Sequence, residues 1–216
     1  MFGKVNTLIW DWNGTLLDDA DICVESMNRI LSGRGMKPIT KNFYKEVFTF
    51  PVQNYYIKLG FDFDKEDWDK LAIDFINIYL SKLNSCDLQK NAEEVLRYFH
   101  EKKYLQYVLS AMEHNTLVAS IKERGILDYF DAVAGIQDHY AASKVEIARK
   151  LMIRTGKDSG EVCLIGDSIH DHEVALELNW PCILIEGGHQ SRERLINTGR
   201  KVLSGLDELK NYFTGE

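Results

Sequence analysis

Short runs of continuous apolar or β-branched residues recur at wide intervals along the chain: Val5–Trp10, Tyr104–Ser110, Ala132–Ala134, Val162–Gly166 and Cys182–Ile185. Most lack a polar alternation, as expected of strands covered on both faces. Between the later runs, the pattern predicts helices over Ala92–Lys102, Asn115–Arg124, Lys144–Ile153 and Ile169–Leu178. Strands alternating with helices predict an α/β fold with a doubly wound, mainly parallel Rossmann-like sheet. Right-handed crossovers then bring the loops after successive strands to one edge.

One stretch breaks this rhythm. From about Leu17 to Ser85 no strand pattern occurs, and helical patterns replace it over Ile22–Leu31, Lys41–Val47, Val52–Leu59 and Lys65–Leu83. Leu71, Phe75, Ile78 and Leu83 fall at helical spacing within the last of these. Gly33, Gly35, Pro38, Pro51 and Gly60 punctuate the boundaries. An all-helical insertion between the first and second strands accounts for it, giving a core of residues 1–16 and 86–216 and an inserted unit of 17–85. Tyr55, Tyr56, Trp68 and Phe75 read as the insertion's own core, and Phe50 as a packing residue.

Composition supports a globular chain with an ordinary core: 45% of the 216 residues are hydrophobic and only 3 are proline. The formal charge of −7 argues against a general nucleic-acid or acidic-membrane binder while leaving room for a local anion pocket. Four scattered cysteines form no CxxC pair, so zinc and disulfide frameworks are not indicated. No stretch approaches the ~20 apolar residues of a membrane span, and the N-terminal apolar run is too short for a signal peptide. The expectation is a soluble, cytoplasmic monomer or homodimer.

In open parallel sheets, ligands bind beyond the carboxyl ends of the strands. The first strand ends in Asp11-Trp12-Asn13-Gly14-Thr15, the second at Ser110, and the fourth in Gly166-Asp167 with Asp171 four residues on. Lys144 opens the helix before the fourth strand. A strand-tip carboxylate can be a nucleophile. Asp167 and Asp171 can aim at one hard cation, for which Mg²⁺ sharing a substrate phosphate is suited. Ser110 and adjacent backbone N–H groups can take phosphate oxygens, with Lys144 offsetting negative charge. Asp18 and Asp19, just beyond the first motif, read as helix N-caps or turn formers.

On these residues the chain resembles the haloacid dehalogenase-like hydrolase superfamily, and within it the phosphoglycolate phosphatase-like subgroup. The first motif is Leu8–Leu16, the second Ser110, the third Lys144 and the fourth Gly166-Asp167 with Asp171; the insertion matches the position of the superfamily's helical cap. The resemblance implies a Mg²⁺-dependent phosphatase acting on a small phosphorylated metabolite through an aspartyl-phosphate at Asp11. It also implies metal ligands Asp11, the carbonyl of Asn13, Asp167 and Asp171. Thr15, Ser110, Ala111 and Lys144 would bind the phosphoryl group.

One departure matters. These phosphatases carry a second Asp two residues after the nucleophile as general acid and base; here Asn13 stands there. Its amide cannot shuttle a proton, a function typically contributing about 10²–10⁴-fold in rate. A good leaving group (an acyl phosphate, anhydride or acidic phenol) would remove the need for it. Otherwise a histidine could substitute: His114, His170, His172 or His189. Superfamily members resembling phosphonoacetaldehyde hydrolase also lack the Asp and use a cap lysine imine, for which Lys37, Lys41, Lys45 and Lys58 are the positions available. A phospho-ligand-binding protein without turnover is the remaining alternative.

Overall fold

The structure, a computed structural model, describes residues 4–136 and 144–214. Among them, six strands form one all-parallel sheet in the order β3-β2-β1-β4-β5-β6: β1 (Thr7–Trp10), β2 (Leu105–Glu113), β3 (Ala132–Ile136), β4 (Val162–Gly166), β5 (Cys182–Ile185) and β6 (Lys201–Leu203). β1 is central and wholly buried, paired with β2 on one side and β4 on the other. Side chains alternate between the two faces. Leu8, Trp10, Val108, Cys163 and Ile165 join one core, and Ile9, Leu109, Val162 and Leu164 the other.

Helices cover both faces. On the first, α5 (Ala92–Glu101) contributes Val95, Leu96 and Phe99, with Leu209 from α10 (Glu208–Thr214). On the second, α7 (Lys144–Thr155) contributes Ile147 and Leu151, and α8 (Ile169–Glu177) contributes Val174. α6 (His114–Glu123) follows β2 directly, and the short α9 (Arg192–Ile196) precedes β6.

The helical cap lies between β1 and α5. It comprises α1 (Ala20–Gly33), α2 (Lys41–Val47), α3 (Val52–Leu59) and α4 (Trp68–Leu83). α4 starts at Trp68 rather than Lys65 because the Asp67 side chain accepts from Asp69 N and Lys70 N and so sets the first turn. Cap residues Tyr44, Tyr55, Tyr56 and Leu71 are buried and continuous with the first sheet core.

Two sheet features differ from the sequence expectation. β2 runs on to Glu113, past Ser110, because the ladder to β3 shifts register between Leu109 and Glu113 and resumes at Glu113–Ile136. β6 is a three-residue edge strand beginning with an exposed lysine, too short for an apolar run to mark it. Among the described residues, no helix is long and apolar enough to cross a membrane. All four cysteines are free and buried.

Candidate active site

Asp11 follows β1 directly, and its N–H donates to Ile165 O of β4, holding it at the sheet's carboxyl edge. Asp167 leaves the neighbouring β4, and Asp171 occupies the first turn of α8. Its Oδ2 accepts from Ser168 Oγ (2.6 Å), Ser168 N (3.1 Å) and Asp167 N (3.2 Å), a capping box that fixes the carboxylate. Oxygens of Asp11, Asp167 and Asp171 all lie within 4.8 Å of one another, and all three residues are buried. Lys144 at the start of α7 joins two of them, with Nζ 2.5 Å from Asp11 Oδ1 and 2.6 Å from Asp171 Oδ1.

Asp167 is clasped closely. Thr15 Oγ1 donates to its Oδ1 over 2.9 Å and His189 N to its Oδ2 over 2.6 Å. Gly14 and Gly188 approach from the β1 and β5 loops; a Cβ at either would fall 2.4 Å or 2.1 Å from Asp167 Oδ2. Only glycine fits this approach. Ser110 Oγ lies 3.3 Å from Asn13 Oδ1 and accepts from Met112 N, and Ala111 lies exposed at the same cavity.

Asp19 corrects the reading of that residue as a helix cap. It sits at the N-cap position of α1, but its side chain makes no capping hydrogen bond. Its carboxylate, 1% exposed, instead turns into the site. It accepts from Asn13 Nδ2, Tyr79 OH and Gly14 N at 2.8, 2.8 and 2.9 Å, and faces His189 Nε2 at 3.3 Å. The other ring nitrogen of His189 lies 2.9 Å from Tyr44 OH. Tyr79, Tyr44 and Asp19 escape sequence reasoning because all three belong to the inserted unit and meet one another and His189 only through the fold. The acidic pair Asp18-Asp19 after the first motif was the one available signal.

Of the histidines, His189 is buried beside two carboxylates, and His170 stacks on Phe50 with centroids 4.6 Å apart at the cavity wall. His172 accepts from Arg200 Nε over 2.9 Å, and neither it nor His114 lines the cavity. Phe50, Tyr55, Tyr56, Trp68 and Phe75 do line it, so these rings serve as cavity wall as well as cap packing.

The electrostatics follow from burial. Burial pushes the Asp11 carboxyl well up and Asp171 and Asp167 add to this, with the Lys144 ammonium opposing. Burial also raises Asp167 against the pull of His189. Although burial opposes both charges, the pairing of Lys144 with Asp11 and Asp171 holds Lys144 above its ordinary value and Asp171 below its own. Burial disfavours the His189 imidazolium, but Asp19 and Asp167 outweigh it and push its pKa to about 9. Among the described residues, four buried carboxylates therefore face two cations, Lys144 and His189. The surplus negative charge and the oxygen-rich donor set fit one hard divalent cation among Asp11, Asp167 and Asp171.

A parallel sheet with a strand-end aspartate, a lysine from a later helix and a further acidic pair, all beneath a helical cap, defines a hydrolase-type α/β protein. Residues 8–185 match the family described as haloacid dehalogenase-like hydrolase, and the chain belongs to that family of enzymes. It is 22% identical to the pyrophosphatase PpaX of Listeria welshimeri over 191 residues, which cover 81% of this chain and 80% of that protein. With the phosphoglycolate phosphatase of Mesorhizobium japonicum it shares 21% identity over 209 residues, covering 94% and 92% of the two chains. The crystal structure of a predicted phosphatase from Clostridium acetobutylicum superimposes with a TM-score of 0.81 at 22% identity, covering 98% of this chain and 99% of that one. A haloacid dehalogenase-like protein from Agrobacterium tumefaciens gives 0.82 at 18% identity, with 98% of each chain covered.

Proposed function

We propose that this enzyme is a Mg²⁺-dependent phosphatase of small phosphorylated metabolites that works through an aspartyl-phosphate at Asp11. The observation that carries the reading is the meeting of Asp11, Asp167 and Asp171 within 4.8 Å, with Lys144 bridging two of them. Relatives named as a pyrophosphatase and a phosphoglycolate phosphatase support the phosphorylated substrate class.

An Asp11 oxygen attacks phosphorus as the bond to the leaving-group oxygen breaks; water then attacks phosphorus and releases phosphate, restoring the carboxylate. Lys144 offsets the mutual repulsion of carboxylate and phosphoryl oxygens, while Ser110 and the N–H of Ala111 orient the group. Thr15, expected to bind the phosphoryl group, is fully buried and spends its hydroxyl on Asp167, so its part is to hold that carboxylate. Asp11, the main-chain carbonyl of Asn13, Asp167 and Asp171 would hold the metal. When bound, the ion supplies positive charge to the phosphoryl oxygens. Asn13 donates no proton, so the leaving oxygen departs with little help from this position. Residues 17–85 act as a cap over the core of 1–16 and 86–216, and exclude bulk water when closed.

The test is phosphate release from a panel of acyl, aryl and alkyl phosphates with Mg²⁺ and with chelator. Acid quenching and borohydride reduction should mark Asp11 as the phosphorylated residue. Release without any label on Asp11 would remove the covalent route, and Mg²⁺-dependent binding with no release would leave a phospho-ligand-binding protein. The lysine-imine route gains no support. Among the described cavity residues Lys144 is the sole lysine; Lys45 bonds Gly187 O and Lys41 pairs with Asp21.

A further inference from the structure

We propose that the cavity beneath the cap receives an uncharged aromatic leaving group, so that the substrates are aryl phosphate monoesters rather than carboxylated or polyphosphorylated compounds. This rests on the phosphatase reading above and adds the identity of the group beyond the phosphate.

The cavity, about 420 Å³, is continuous from Asp11 and Lys144 to α4. Its volume lies within the range of about 300–1,000 Å³ that holds small ligands. Away from the carboxylates its wall is a chain of rings: Phe48 lies 5.4 Å from both Phe50 and Tyr55, Tyr55 lies 5.5 Å from Tyr56, and Tyr56 lies 5.4 Å from Trp68. Ile76 and Leu80 also line it although they are 50% and 40% exposed, so an apolar guest would cover surface that the fold leaves open.

Charge points the same way. Among the described lining residues the basic groups are Lys144, His189 and His170. Lys144 is committed to Asp11 and Asp171, His189 to Asp19 and Tyr44, and His170 stacks on Phe50. The remaining ionic group, Glu113, is acidic. A carboxylate or second phosphate on the leaving group would enter this apolar space with no unpaired cation to meet it among the described lining residues, at heavy desolvation cost. The neutral polar side chains of the lining, Asn13, Ser110, Thr116 and Ser168 among them, offer hydrogen bonds without countering a charge.

Asn13 supplies the independent chemical argument. The Asp11 oxygen forms its bond to phosphorus as the aryl O–P bond breaks, and the electron pair leaves on the phenolic oxygen. A phenolate is stable enough to depart and then take a proton from water. Water next attacks phosphorus, the Asp11 O–P bond breaks, and inorganic phosphate and a proton are released. The sum is aryl phosphate plus water giving phenol plus phosphate, with no general acid required at residue 13.

Binding separates this inference from catalysis. Calorimetric titration of the Mg²⁺-loaded protein with naphthylmethylphosphonate and with phosphonoacetate should favour the first by roughly tenfold or more, the scale of discrimination by apolar pockets. Ile76→Lys, at an exposed position, should narrow or reverse that preference. Equal affinities, a preference for phosphonoacetate, or no response to Ile76→Lys would overturn the aryl assignment whether or not the enzyme turns over. Release of phosphate from acetyl and naphthyl phosphates, measured alongside, tests the phosphatase reading separately.

Discussion

The side chains of Asn13 and Asp19 are joined by a 2.8 Å hydrogen bond from Nδ2 to Oδ2, and the Tyr79 hydroxyl closes the triangle at 2.8 Å from each. The residue two positions after the strand-end aspartate is thus tied to a buried carboxylate and to the cap. Two like charges across that gap could not both ionise comfortably, so Asn13→Asp would create a pair sharing one proton. Such a proton is available to a leaving group. Turnover of alkyl phosphates should rise by about tenfold or more, aryl and acyl phosphates should gain less, and the alkyl gain should fade with increasing pH. Rate profiles from pH 5 to 9 for the three substrate types provide the check; equal gains for all would mean that proton transfer does not limit alkyl turnover.

Asp11→Asn should abolish hydrolysis, with a loss of at least about 10³-fold, while leaving the fold intact. Lys144 keeps its 2.6 Å contact to Asp171, and one of the crowded carboxylates becomes neutral. Denaturation in the absence of metal should therefore show stability equal to or above that of the wild type. Retained activity would exclude Asp11 as nucleophile.

Mg²⁺ should raise the thermal midpoint, in line with about 2.7 kcal/mol of linkage at a hundredfold excess over the dissociation constant. Burial raises the pKa of both Asp11 and Asp167, so binding the ion competes with protons on them. The shift should grow as pH rises. Asp167→Asn should remove most of it. Scanning calorimetry with Mg²⁺ at pH 5, 6, 7 and 8 measures both effects.

His189 should impose an opposite pH dependence on the metal-free protein. Its pKa is raised from the ordinary 6.5 to about 9 by Asp19 and Asp167, which overcome burial. The stabilisation from this pairing is complete below about pH 6.5 and is lost as pH rises through about 9. Its size is on the order of 3 kcal/mol. Urea denaturation of the wild type should lose stability across that window, whereas His189→Gln should show a flatter profile. Parallel profiles would contradict the charged pairing.

The alternation of apolar runs and helical periods was enough to place five of the six strands and the helical insertion, because two-sided burial writes itself into continuous apolar sequence. β4 and β5 match their expected spans residue for residue. The strand-end positions of Asp11 and Asp167 were readable for the same reason, since topology puts every such end on one edge; Ser110 reaches the same cavity although β2 runs on past it to Glu113. β6 was not, being a three-residue edge strand whose pairing with β5 comes from the sheet rather than from its own pattern.

The company kept by the first motif lay beyond any local pattern. Asp19 is a helix-start aspartate by sequence and a site carboxylate in space, because Asn13, Tyr79 and His189, far apart along the chain, converge on it. The cap aromatics read as core by composition, yet they also wall the space beside Lys144. Local periodicity reports which face of an element is buried. Whether that face meets another side chain or encloses a cavity depends on how distant elements pack, and so emerged only once the chain was folded.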